Sequence, residues 1–152
     1  MQASHTSSRP HLIPLLCATT ALVAAISLGV AHAQVKQGKT RALKTSQLMK
    51  GVVKPNCEAL KKGLVDAAPS SDESWDKLAA NAALLNEASY ILMDDGRCPD
   101  GVWANAATKT LREGTAGLLK AIEAKDADGA KAAFGNLTQS CKGCHEKHKE
   151  KK

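Results

Sequence analysis

Four stretches of this chain repeat apolar residues at steps of three and four, and each is fenced by turn signals. That period is what a helix shows when one face is buried. The first stretch, Thr40 to Val65, carries Met49, Val53, Cys57, Leu60 and Leu64 on one stripe. Pro55 should kink or restart it, because the residue before a proline avoids the α region. The second opens at Ser70-Ser71-Asp72-Glu73, with Ser70 and Glu73 spaced as a capping box. Its stripe is Trp75, Leu78, Ala82, Leu85, Ser89 and Leu92, and Asp94-Asp95-Gly96 ends it. The third follows the N-cap signal Pro99-Asp100 and carries Trp103, Ala107, Leu111, Gly114, Leu118 and Ile122. Gly114 and Gly117 weaken it by about 1 kcal/mol each relative to alanine. Either a neighbour approaches closely there or the glycines are merely tolerated. The fourth starts near Asp126 and carries Ala130, Phe134, Leu137, Cys141, Cys144 and His148. The connections are short, which makes neighbours antiparallel. The expected fold is all-α, an antiparallel up-down-up-down four-helix bundle.

Composition leaves that bundle with an unfilled interior. Hydrophobic residues make up 43% of the 152, yet only 3% are aromatic, so the core is mainly alanine, leucine and valine. Such a core is thin and leaves room for another large group. The length suits one domain with a short appendage. The formal charge of +6 is modest, and no nucleic-acid partner is expected.

The appendage is at the start. Met1 to His11 carries Arg9 and no acid, an apolar run follows from Leu12 to Val30, and Ala31-His32-Ala33 closes it. This is the layout of a secretory signal peptide cleaved after Ala33. A membrane anchor is the competing reading, since the run is nearly long enough to span a bilayer; Pro14 and the small residues at the end favour cleavage. The expected division is a leader, 1–33, and a domain, 34–152, with no membrane anchor left after cleavage. Cys17 leaves with the leader, so the five cysteines become Cys57, Cys98, Cys141 and Cys144 in an oxidising compartment.

Chemistry is concentrated in Cys141-Lys142-Gly143-Cys144-His145. C-x-x-C-H is the attachment signature of a c-type haem. On a helix both cysteines lie on one face, where their sulfurs reach the two vinyl carbons of one porphyrin. His145 then serves as the proximal iron ligand. An independent export signal sends the motif to the compartment where such haems are attached. A redox-active dithiol usually opens a helix in a βαβ setting instead. A zinc site would need further ligands, and His148 with Cys57 or Cys98 is a badly spaced set.

With these residues the chain resembles the class II cytochromes c, which include cytochromes c′ and the low-spin c556 type. The resemblance rests on a secreted four-helix pattern whose last helix carries Ala132-Ala133-Phe134-Gly135 and then Cys141-Lys142-Gly143-Cys144-His145. The family usually places an aromatic residue and then Arg or Lys after the motif; here His148 and Lys149 stand there, so only the charge is retained. The resemblance implies a periplasmic protein with one covalent haem c, not an enzyme. It passes single electrons between redox partner proteins, or it holds a five-coordinate iron that binds NO or CO. It also implies that a homodimer is possible.

Bundle topology puts Met49, Tyr90, Met93 and Trp103 around a haem on Cys141, Cys144 and His145. Tyr90 and Trp103 are expected to pack on it. Low-spin relatives take a methionine from the first helix as distal ligand, and Met49 is similar to that residue. The other reading keeps Met49 as an apolar stripe residue packed on the macrocycle. Met93 is the weaker candidate. Arg41, Arg97 and Lys149 lie at the same end and are candidates for the haem propionates. Lysines near the C-terminus could steer an acidic partner. Cys57 and Cys98 form an even remainder that suggests a disulfide, but a straight bundle sets them too far apart. Only a break at Pro55 or a folded-up loop would reconcile the two.

Overall fold

The computed structural model describes residues 38–149. The expected leader and its cleavage point after Ala33 lie outside the described residues. Four helices follow one another: α1 over 45–66, α2 over Asp72–Met93, α3 over 101–123 and α4 over Ala127–His148. Among the described residues there is no β-strand element.

Helix α1 starts five residues later than its stripe suggests. The Asp95 carboxylate accepts hydrogen bonds from the Thr40 and Arg41 backbone N–H groups, each at 2.9 Å, and from Thr40 Oγ1 at 2.7 Å. Those bonds hold the lead-in extended. Pro55 does not break the helix. A π-helical turn, Met49–Val53, precedes it, and the α stretch Lys54–Lys61 takes Pro55 in its first turn, where a missing N–H costs least. A second π turn, Lys62–Asp66, ends α1. The extra residue in the first π turn rotates the upstream face. The seam therefore falls beside Leu48, which is fully buried, while Met49, Val53 and Cys57 are half-buried.

Helix α2 is capped one residue later than expected. Ser71, not Ser70, is the N-cap: its Oγ accepts from the Ser74 N–H at 3.3 Å, and Ser74 Oγ accepts from the Ser71 N–H at 3.1 Å. Glu73, freed from capping, pairs with Lys77. The whole expected stripe of α2 is buried, with Ala88 added. The helix ends where Asp95 and Gly96 adopt the left-handed region, φ 59° and 71°. Glycine takes that conformation without strain.

Helix α3 opens at Asp100, whose side chain accepts from the Trp103 N–H at 3.0 Å. Its middle, Ala106–Glu113, is π-helical. Carbonyls loosened there are taken by side chains. Thr115 Oγ1 donates to Leu111 O at 2.6 Å, and Asn86 Nδ2 of α2 donates to Arg112 O at 2.8 Å. Helix α4 is capped by Asp126, which accepts from the Gly129 N–H.

The core runs through all four helices. Leu60 and Leu64 of α1, Leu78 and Leu85 of α2, Leu111, Leu118 and Ile122 of α3 and Phe134 and Leu137 of α4 belong to one buried cluster. The two glycines of α3 differ: a Cβ on Gly114 would sit 3.0 Å from a Leu137 methyl, whereas one on Gly117 would meet nothing. Between the ends of α2 and α3, Trp103 Nε1 donates to Leu92 O at 2.7 Å. That bond satisfies both a buried indole and a helix-end carbonyl.

Candidate functional site

The last turns of α4 carry the motif. Cys141 and Cys144, one helical turn apart, are both half-buried, and Cys144 packs against the core. The Cys141 thiol donates to Leu137 O at 3.2 Å. Burial raises the pKa of both thiols; the Cys141 charge and then Asp100 add to the effect on Cys144. Cys57 of α1 faces the same cluster. Burial first, then the Cys141 and Glu58 charges, push its pKa up to about 11. All four described cysteines are free thiols, and the Cys98 thiol donates to Asp100 O at 3.5 Å. The Cys57–Cys98 bridge does not form: Cys57 stays on an unbroken α1, and Cys98 stays in the α2–α3 connection.

His145 is exposed beyond Cys144. Partial desolvation against the helix, and then the Lys149 charge, lower its pKa and favour the neutral imidazole that binds metal.

Asp100 anchors this end. Besides capping α3 it lies 2.6 Å from Lys147 Nζ and 3.3 Å from His148 Nε2. Its pKa is held far below the usual carboxylate range, by Lys147 first and then by the Trp103 N–H. The His148 side chain is only 7% exposed. Its ring stands edge-on to Trp103, with centroids 5.4 Å apart and planes at 82°. The position where the family resemblance leads one to expect an aromatic is thus filled by an imidazole that packs on an aromatic partner.

The expected site residues divide. Trp103 is buried at this end through His148, and Met49 is half-buried against the core. Tyr90 is placed differently: it is half exposed, with the Arg112 guanidinium 3.7 Å over its ring, in a surface pocket of about 510 Å³ that Met93 also lines. Arg41 is committed to Asp94 at 2.7 Å, and Lys149 is exposed. Arg97 is fully buried, and its Nε and one terminal nitrogen have no hydrogen-bond partner.

The Asp100 cluster escaped sequence reasoning because it joins residues more than forty positions apart. Its trace was His148 on the buried stripe of α4. Among the described residues, no three His, Cys, Asp or Glu side chains are grouped to hold a metal ion, so the zinc reading has no ligand set. No helix among the described residues is long and apolar enough to cross a membrane.

A family model described as cytochrome C' matches residues 42–149, covering all four helices. This chain belongs to the cytochrome c′ family. No curated protein and no solved structure matches it. As a member of the cytochrome c′ family it is a haem-binding cytochrome, and its residues fit that group. Two thiols share a face of α4 beside an imidazole, and two nitrogens of the buried Arg97 guanidinium have no hydrogen-bond partner.

Proposed function

We propose that this cytochrome c′-family chain is a periplasmic one-electron carrier with a single covalent haem c, held in residues 34–152 after cleavage behind Ala33. The observation that carries the reading is the placement of Cys141, Cys144 and His145. The two thiols lie half-buried on one face of the last turns of α4, and the imidazole follows directly. Cys141 and Cys144 would hold the haem as thioethers, and His145 would be its proximal ligand. Short connections and the pairing of helix ends support an up-down-up-down bundle. Lys125 binds Asp72 at 2.7 Å, Arg41 binds Asp94, and Lys147 binds Asp100.

When bound, a haem supplies a one-electron iron centre whose reactivity depends on its axial ligands. A Met49 thioether as distal ligand would close the iron and suit electron transfer. The neutral imidazole of His145 is ready to coordinate, and the Asp100 tie to Lys147 and His148 fixes the turn that carries it. Partners would be redox proteins with acidic surfaces. Lys142, which pairs at 3.7 Å with Glu146, and Lys149 are exposed, while Lys147 is taken up by Asp100.

A second reading is a five-coordinate haem that binds NO or CO. It is favoured by the packing of Met49 against the apolar core, as a filler would pack. Absorption spectra of the purified ferrous protein, with and without CO, separate the two. A low-spin spectrum indifferent to CO supports electron transfer, and Met49→Leu then converts it to a CO-binding form. Fast CO binding by the parent protein discards Met49 as ligand. Intact mass, together with haem staining on a denaturing gel, tests cleavage and covalent attachment.

A further inference from the structure

Arg97 is the one fully buried charged residue of the described chain, and its surroundings do not complete its bonds. One terminal nitrogen reaches Thr45 Oγ1 at 3.4 Å, a long contact, while Nε and the other terminal nitrogen have no partner. A guanidinium out of water with two unmatched donors carries a desolvation cost that further acceptors would offset. The Asp95 carboxylate feels the Arg97 charge, but its oxygens accept hydrogen bonds from Thr40 and Arg41 and not from the guanidinium. The segment entering α1 lies over it, since a Cβ on Gly38 would come within 3.0 Å of the Arg97 terminal nitrogen. The residue belongs to the α2–α3 connection, three positions before Asp100, which faces Cys144. The buried cation and the haem motif therefore meet at one end of the molecule.

We infer that Arg97 is the internal anchor for a haem propionate, binding the carboxylate through its two unmatched nitrogens with Thr45 beside it. The inference rests on the haem reading above. A planar guanidinium matches a carboxylate with two parallel hydrogen bonds, which a lysine cannot offer. Arg41 and Lys149 are not equivalent, one being paired with Asp94 and the other in solvent. The charged groups around Arg97 are Asp95 on its own connection, Asp94 with Arg41 from the segment entering α1, and Lys147 and His148 of α4, which Asp100 holds. None supplies the missing acceptors.

The consequence is electrical. Arg97 neutralises a negative charge beside the iron, so its loss favours the ferric state and leaves a desolvated carboxylate that takes up a proton more readily. Potentiometric titration of the holoprotein across pH tests this in the parent, Arg97→Gln, Arg97→Lys and Lys149→Gln. Expected are a lower potential and a new pH dependence in Arg97→Gln, partial recovery in Arg97→Lys and no change in Lys149→Gln. A potential and pH profile in Arg97→Gln identical to the parent's overturns the proposal, provided the gel shows haem attached; a gel without haem fails the underlying reading instead. Should Arg97→Gln not fold, the parent alone decides by resonance Raman. A propionate bending band constant through the carboxylate pH range supports the anchor, and one that titrates as a free acid removes it.

Discussion

Gly114 and Gly117 sit three residues apart on α3, and only their surroundings tell them apart. Gly117→Ala adds a methyl in open space and should stabilise the protein by about 0.5–1 kcal/mol, raising the melting temperature by a few degrees. Gly114→Ala has the same gain in helix propensity, but its methyl meets Leu137 at 3.0 Å. Overpacking costs about 1–3 kcal/mol, so this variant should be neutral or less stable than the parent. Urea melts of the pair measure the difference directly, and equal gains would mean that Leu137 moves aside freely. Nothing local in the sequence separates the two positions, because the deciding atom is on another helix. Ser71→Ala should cost about 1 kcal/mol through the lost cap, whereas Ser70→Ala should cost almost nothing. That contrast corrects the one-residue offset in the capping reading, since Ser70 and Ser71 both offer a hydroxyl and only backbone geometry chooses between them.

Helix α4 depends on a residue outside itself. Asp100 caps α3 and also holds Lys147 and His148, so the last turn of α4 is fastened to the start of α3. Asn at this position can still cap but cannot pair with a cation. Asp100→Asn should therefore leave the amides of α3 protected while those of residues 144–149 exchange faster; Asp100→Ala should loosen both. Native-state hydrogen exchange reads the two regions separately, and unchanged exchange at 144–149 would show that α4 needs no such fastening. At this scale the sequence was most legible in α2, where every stripe residue is buried, because a regular α-helix keeps its face in step for twenty-two residues. It was least legible in α1. There the π turns shift the buried face toward Leu48, and they make Pro55 compatible with an uninterrupted helix. Periodicity at 3.6 residues cannot register such turns, since they depend on packing against the neighbouring helix. In the candidate site, Cys141, Cys144 and His145 were legible because the C-x-x-C-H spacing is itself a local pattern. Arg97 and the Asp100 cluster were not, because burial and long-range pairing leave no local pattern.

Stability of the whole molecule should be greatest near neutrality, for two opposite reasons. Asp95 and Asp100 have pKa values below those of the unfolded chain, through hydrogen bonds to Arg41 and Thr40 and through Lys147. Below roughly pH 4 the unfolded state takes up protons that the folded state refuses, so stability falls as pH drops. Cys57 works the other way. Its folded pKa of about 11 lies above the unfolded value of roughly 8.5, so between those limits the unfolded state loses a proton that the folded state keeps. Stability should decline from about pH 8.5 toward 11, and Cys57→Ala should make that alkaline slope shallower. Chemical denaturation across pH measures both limbs. The all-helical architecture and the family were legible at this scale from four stripes and one motif, whose information is repeated along the chain and is not carried by single contacts. The two tryptophans lie at opposite ends of α2. Trp75 is in its first turn, and Trp103 is bonded to Leu92 in its last, a span of roughly 26 Å along the helix. Energy transfer from an indole to a haem falls steeply with distance, so in the haem-bearing protein the fluorescence of Trp103 should be extinguished and that of Trp75 should partly survive. The molecule thus contains two optical probes of its own, and replacing either one by Phe lets unfolding be watched from one end of the bundle at a time.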